Sequence, residues 1–218
     1  SLKPFFKSLF HTIVKILLLI VVLSTIGIEM TSFVALLGAA GVAIGVALSG
    51  TLQNFAGGIV ILVLRPFKVG DFVETQGYKG TVKAIQIFHT HLTTTDNRLV
   101  ILPNGSLASG SLVNYNVNDT RRVDFVFGIG YNDNIDKAKN LILTSFDADT
   151  RILTTPAAFV AVNELGDSSV NLVARAWVNT PDYWDVYHRH LEVIKIAFDK
   201  EGISIPFPQR DVHYIPLK

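Results

Sequence analysis

Val42 and Val46 stand one helical turn apart in the run GAAGVAIGVALSGTLQNFAGG, Gly38 to Gly58. The work open to such a pair is physical and not covalent. Isopropyl groups stacked around a narrow tube exclude water, and hydrated ions with it. Residue types that do covalent or metal chemistry are arranged to less effect. His89 and His91 alternate on an expected strand, His188 and His190 lie two apart on an expected helix, and His213 stands near the end. None has an HExxH context, and the chain has no cysteine, so metal binding is not favoured and no cofactor is expected. Asp147, Asp149 and Arg151 read as a solvated loop. The glycines of GDFVETQGYKG lack the GK[ST] of a phosphate-cradling loop, and strand-and-turn structure accounts for them more simply.

The pair of valines acquires a direction once the run is wound as a helix at about 100° per residue. Val46, Ser49 and Ala35 then share a narrow face with Val42, while Leu36, Leu37, Ile44 and Leu48 fall broadly opposite. Gly38, Gly41 and Gly45 occupy one flank; Ala39, Ala43 and Ala47 occupy the other. Small residues let helix backbones approach closely in lipid, so a glycine flank on one copy receives an alanine flank on the next. The two flanks differ, and a heterologous contact that closes makes a ring with Val42 and Val46 facing its middle. Gly41 and Gly45 alone form a GxxxG pair, which by itself serves simple dimerisation. A dimer, however, needs one small-residue face and not two.

The elements that must position these residues are apolar and lie in the first third of the chain. In 218 residues, 49% are hydrophobic and 17% charged, which leaves few polar side chains to cover a watery surface. A net charge of +1 lacks the basic excess of a nucleic-acid binder. Residues 5–28 are long enough to cross a bilayer, for which ~20 are needed. Lys3, Lys7, His11 and Lys15 recur every fourth residue, at the N-terminal end only. By the positive-inside rule that end faces the cytoplasm, the lysines either snorkelling to lipid headgroups or simply solvated. Gly27 then terminates the helix, with Thr31 or Ser32 the expected N-cap of the next. The second run, residues 32–64, is longer than one hydrocarbon core requires. A kink is expected at Gly50, beside a Ser49 that competes for backbone carbonyls, followed by an interfacial amphipathic segment carrying Leu52, Phe55, Ile59 and Leu62. Gly57 and Gly58 offer a second flexible point or serve packing.

Two folded units follow. Residues 65–119 alternate β-branched and aromatic runs with turn residues, as in a small β-barrel-like domain. Residues 120–208 read βαββα, an α+β domain: a strand in RRVDFVFGIG, a helix capped by Asn132 or Asp133, two strands around GDSS, and a helix from Pro181 and Asp182 to Gly202. The tail, 209–218, has strand character.

The stretch Gly38–Gly58, followed by RPFKVGDFV, GTVKAIQIFHT, LPNG, VNELGDSSVNLVARAWV and EGISIPFPQ, resembles the small-conductance mechanosensitive channel family of bacteria from about Ala35 onward. The resemblance implies a multi-pass homoheptamer of the inner membrane. It would have a pore-lining helix, an Sm/SH3-like β domain, a ferredoxin-like α+β domain in the cytoplasm, and C-terminal strands closing a small barrel. It implies that the N-terminal helix here is the family's second, the first lying outside this chain. Carried over by position, the gate falls at Val42 and Val46, where the family usually has leucines. The knobs fall at Ala35, Ala39 and Ala43, the grooves at Gly38, Gly41 and Gly45, the hinges at Gly50 and Gly58, and the contacts coupling tension to the lining helix at Leu48 and Leu52. The expected function is a channel opened by membrane tension that releases ions and small solutes on hypo-osmotic shock, with lipids and permeating solutes as partners and no enzymatic activity. The alternative is a membrane-anchored oligomeric scaffold or receptor with a cytoplasmic binding domain.

Overall fold

The computed structural model describes residues 2–214. It opens with two long helices, α1 (Leu2–Thr25) and α2 (Thr31–Leu64), both long and apolar enough to cross a membrane. α1 ends at Thr25, three residues before the expected limit, because Gly27 takes φ +86°. The N–H of Gly27 bonds to Ser24 O and that of Ile28 to Leu23 O, which is the paired closure of a Schellman motif and uses up the free carbonyls. Neither Thr31 nor Ser32 caps α2: Met30 is the N-cap, without a side-chain bond, and Thr31 is already helical. The Thr31 hydroxyl instead donates to Glu29 Oε1 at 3.5 Å. α2 remains helical through Gly50 and Gly58 for 34 residues, about 50 Å at the usual rise. It stops at Arg65, which takes the left-handed φ of +50°, its N–H closing on Ile61 O ahead of Pro66.

The strands β1 (Phe72–Thr75), β2 (Tyr78–Ile85), β3 (His89–Thr93), β4 (Leu99–Pro103) and β5 (Leu112–Asn114) form one sheet in the order β4-β3-β2-β1-β5, with the short helix α3 (Asn104–Ser109) between the last two. Gln76 and Gly77 both have positive φ, the geometry of a two-residue type I′ hairpin whose twist matches the flanking strands. Val82, Leu92 and Leu102 are buried apolar side chains of β2, β3 and β4.

The remainder runs β6 (Thr120–Ile129), α4 (Ile135–Asp147), β7 (Phe159–Leu165), β8 (Val170–Asn179), a 3-10 turn, and α5 (Tyr183–Glu201), the expected βαββα order. The sheet is antiparallel, β6-β8-β7. Period-two burial of Val123, Phe125, Phe127 and Ile129 on β6 faces Ala138, Ile142 and Phe146 of α4 and Val186, Ile194 and Phe198 of α5. The alanines at 174 and 176 on β8 leave room for the phenylalanines. The cap of α4 is Asn134, whose side chain accepts the Lys137 N–H at 2.9 Å, and not Asn132 or Asp133. Asp133 is engaged elsewhere, accepting from Gly130 N, Ser204 N and Ser204 Oγ at 2.8, 2.9 and 2.7 Å. α5 ends as expected at Gly202, φ +71°, in a second Schellman closure that buries Ile203.

Residues 209–214 carry no ladder; a strand exists through its partner, and among the described residues this part of the strand expected at 209–218 has none. The last four residues of that stretch lie outside the described residues. By packing, the chain divides into two units: residues up to Gly70 with Glu74–Leu112, and Asp71–Val73 with Val113 onward. The expected limit at 64/65 is thus a change of composition within one packed unit.

Candidate functional site

The glycines of α2 fall into two sets with opposite surroundings. At Gly38, Gly41, Gly45 and Gly50, a methyl group built on the backbone would meet nothing within 4 Å. At Gly57 it would stand 2.5 Å from Asn104 O, and at Gly58 2.5 Å from Ile87 O. The first set leaves a groove open on the helix surface. The second has its groove filled by the β domain.

Around the open set, Ala35, Ala39 and Ala43 are exposed, as are Leu48 and Leu52. Val42 and Val46 are 69% and 70% exposed, among the most exposed apolar side chains of the helix. Ser49 Oγ donates to Val46 O at 2.8 Å, the carbonyl competition expected beside Gly50, yet the helix continues. Between α1 and α2 an apolar cavity of about 170 Å³ is lined by residues including Leu19, Met30 and Phe33. Lys3, Lys7 and Lys15 are all exposed along α1, and His11 Nδ1 donates to Lys7 O at 2.8 Å.

Around the filled set, one buried side chain organises the junction. Asn104 is 0% exposed; its Oδ1 accepts from Thr90 Oγ1 at 2.8 Å and its Nδ2 donates to Gln86 O and Ile87 O at 2.8 and 3.2 Å. Every polar atom of a fully buried amide is thereby engaged, which removes the cost of burying it. The next residue, Gly105, donates its N–H to Asn54 Oδ1 on α2 at 3.0 Å. Ile61 packs fully buried one turn below Gly57 and Gly58, and the Phe55 and Phe88 rings lie 6.3 Å apart. Asn54 stands as a polar residue in an apolar run and Asn104–Gly105 in the stretch LPNG, but spacing alone does not say that they meet. The signal was available: an amide inside an apolar helix needs a partner.

The soluble histidines separate as well. His89 is exposed and His91 half-buried on β3, and no metal-holding cluster occurs among the described residues. Asp149 and Arg151 do lie in a loop, but it is not solvated at Asp149. Asp149 is 8% exposed and pairs with Arg151 Nη2 at 2.6 Å and His190 Nε2 at 3.3 Å. The Arg151 hydrogen bonds hold its carboxyl well below the usual carboxylate range. The expectation failed because the partner that buries Asp149 stands 41 residues away.

Residues 50–117 match the family description "Mechanosensitive ion channel, beta-domain", and residues 123–205 match "Mechanosensitive ion channel MscS, C-terminal". The first match begins at Gly50, so it takes in the C-terminal part of α2, which packs on α3 and on Ile87. An uncharacterized MscS family protein of Synechocystis is 43% identical over 99% of this chain and 74% of its own length. The small-conductance mechanosensitive channel of Edwardsiella ictaluri is 43% identical over 80% of this chain and 61% of its own. The closed-state crystal structure of Helicobacter pylori MscS matches with a TM-score of 0.88 at 34% identity, over 96% of this chain and 83% of that one.

Proposed function

The chain belongs to the MscS family of mechanosensitive ion channels, and we propose from that membership and from the surface of α2 that it opens under membrane tension through a hydrophobic gate at Val42 and Val46. The observation that carries the reading is the contrast between the two glycine sets. A groove that is open at Gly38, Gly41 and Gly45, opposite exposed Ala35, Ala39 and Ala43, is shaped to receive a second copy of the same helix. Copies arranged knob to groove close into a ring, for which the family implies seven, with both valines inward.

In that ring, stacked isopropyl groups make a neck too apolar to hold a continuous water column, so current is blocked without an occluding charge. Lateral tension favours whichever conformation covers more membrane area. The lining helices tilt and separate, alanines sliding over glycines, and the neck wets. Leu48 and Leu52, exposed away from the neck, are placed to take up the movement of the lipid-facing helix. Gly50 is the hinge of this reading, because it lacks a side chain and sits where nothing packs on it. Gly58 is the other hinge that the family pattern assigns, and its contact with the β domain makes it a pivot that stays seated. Lys3, Lys7 and Lys15 hold the start of α1 at the cytoplasmic headgroups of the bacterial inner membrane. The result for the cell is release of ions and small solutes on hypo-osmotic shock.

Single-channel recording from the purified protein in pure lipid tests this. Tension-activated current is expected; a protein that inserts and assembles yet carries no current at lytic tension is a scaffold and not a channel.

A further inference from the structure

Position 190 interrupts an apolar stripe. Val186, His190, Ile194 and Phe198 recur every fourth residue on the buried face of α5, and His190 is 1% exposed, as enclosed as the aliphatic residues on either side. Both ring nitrogens have partners from outside α5. Nδ1 lies 3.0 Å from Ser145 Oγ on α4, and Nε2 lies 3.3 Å from Asp149 Oδ2 on the loop after it. An ionised carboxylate only accepts, so Nε2 carries the proton and Nδ1 accepts from the Ser145 hydroxyl. This tautomer is neutral and fully satisfied.

We propose that Ser145, Asp149 and His190 form a proton-sensitive latch joining α4 to α5, closed while the imidazole is neutral and loosened when the solution bathing the α+β domain acidifies. The inference goes beyond channel activity and does not depend on it.

The charges around the ring set the direction. Asp149 is the carboxylate in contact with His190, and it already serves Arg151 at 2.6 Å and Arg189 Nε at 3.8 Å. Asp182 and Asp185, at the start of α5, act on Arg151. From α4 the ring packs roughly perpendicular to Phe146, 5.0 Å between centroids, and from β6 to Phe125 at 6.3 Å; neither offers a charge. Protonation would place a third cation on one carboxylate inside an aromatic enclosure. It would also oblige Ser145 to turn its hydroxyl from donor to acceptor. Burial accordingly pushes His190 below the ordinary histidine value, the pull of Asp149 notwithstanding.

The linkage sign follows. A histidine whose folded pKa is depressed binds its proton more readily in the unfolded chain, near pH 6.5. Stability is therefore complete above about pH 7 and falls as pH drops through 6.5 toward the lower folded value. The test is thermal unfolding of the intact protein in detergent micelles between pH 7.5 and 5.5, with hydrogen exchange of the α4 and α5 amides read alongside. The native protein is expected to lose several degrees in midpoint and to exchange at least threefold faster in both helices at pH 5.5. His190→Gln, which keeps a donor and an acceptor without titrating, is expected to lose neither. Equal losses in the two proteins would overturn the latch. Should the variant fail to fold, the ring nitrogen shifts of His190 in the native protein decide: a midpoint below 6.5 supports the latch, and one at or above 6.5 sinks it.

Discussion

Asn54 on α2 accepts the backbone N–H of Gly105 at 3.0 Å, and this bond joins the long helix to the first turn of α3. Both partners are short of alternatives, since Gly105 follows the buried Asn104 and a methyl group on Gly105 would lie 3.0 Å from Asn54 Oδ1. Removing the acceptor leaves a donor unmade in a half-buried site, a change that costs about 1–3 kcal/mol. Asn54→Ala is therefore expected to lower the thermal midpoint of the assembled protein, while Asn54→Asp, which keeps an oxygen in place, recovers most of it. Differential scanning calorimetry in detergent checks both. An alanine variant that melts with the native protein would show that water replaces Asn54 at no cost.

The two glycine sets make opposite predictions for the same substitution. Gly57→Ala puts a methyl group 2.5 Å from a backbone carbonyl oxygen, where neither partner can yield by rotating a bond. Overpacking of that kind costs about 1–3 kcal/mol, so loss of expression or a markedly lower midpoint is expected. Gly50→Ala meets open space within the chain and gains about 1 kcal/mol of helix propensity. It is expected to leave the midpoint level or higher and to alter the tension response instead, because a stiffer helix bends less readily. Paired melting curves and patch recordings separate the outcomes, and a Gly57→Ala protein as stable as native would remove the packing account.

Acid should attack the α+β domain through its carboxylates in a window distinct from that of His190. Asp149 is held low by its bonds to Arg151. For Asp133, burial raises the value, but the hydrogen bonds from Ser204 and Gly130 outweigh it and the net direction is also down. A carboxyl depressed in the native state contributes stability that is fully present above its unfolded value near 4 and lost as pH falls through the folded value. The native midpoint is expected to drop steeply below about pH 4. Asp149→Asn should be less stable at pH 7 and flatter on acidification, as circular dichroism melts at pH 7, 4 and 3 would register.

Much of this arrangement is legible in the sequence, for reasons that differ from element to element. The βαββα order shows because Val123, Phe125, Phe127 and Ile129 alternate at period two while Val186, His190, Ile194 and Phe198 recur at period four. Helix ends are legible where glycine takes positive φ, at Gly27 and Gly202, and misplaced where several cap residues stand in a row. Asn132, Asp133 and Asn134 all have suitable side chains, and the choice falls to Asn134 because Ser204, 71 residues on, claims Asp133. Asp149 reads as solvated for the same reason: His190, which lies against it, is distant in sequence. The open and filled glycines of α2 cannot be told apart by spacing, since the difference lies in whether Asn104 and Ile87 fold back against them.

The gate assignment makes a prediction with two signs. Val42 and Val46 are exposed on one face, four residues apart, so each contributes one of two stacked rings in the proposed assembly. The closed state is favoured there by the cost of wetting apolar surface, about 0.8 kcal/mol for each methylene-sized group withheld from water. Val46→Asp removes that cost at every position in the ring and adds repulsion among like charges, so the channel is expected to open at lower tension. Val46→Leu adds one methylene per chain and narrows the neck, so the threshold should rise. Every 1.4 kcal/mol is a tenfold change in the ratio of open to closed, and a few chains acting together suffice to shift the pressure response visibly. Patch recordings of the two variants beside the native channel supply the measurement. Thresholds that move in the same direction, or not at all, would place the barrier elsewhere on α2.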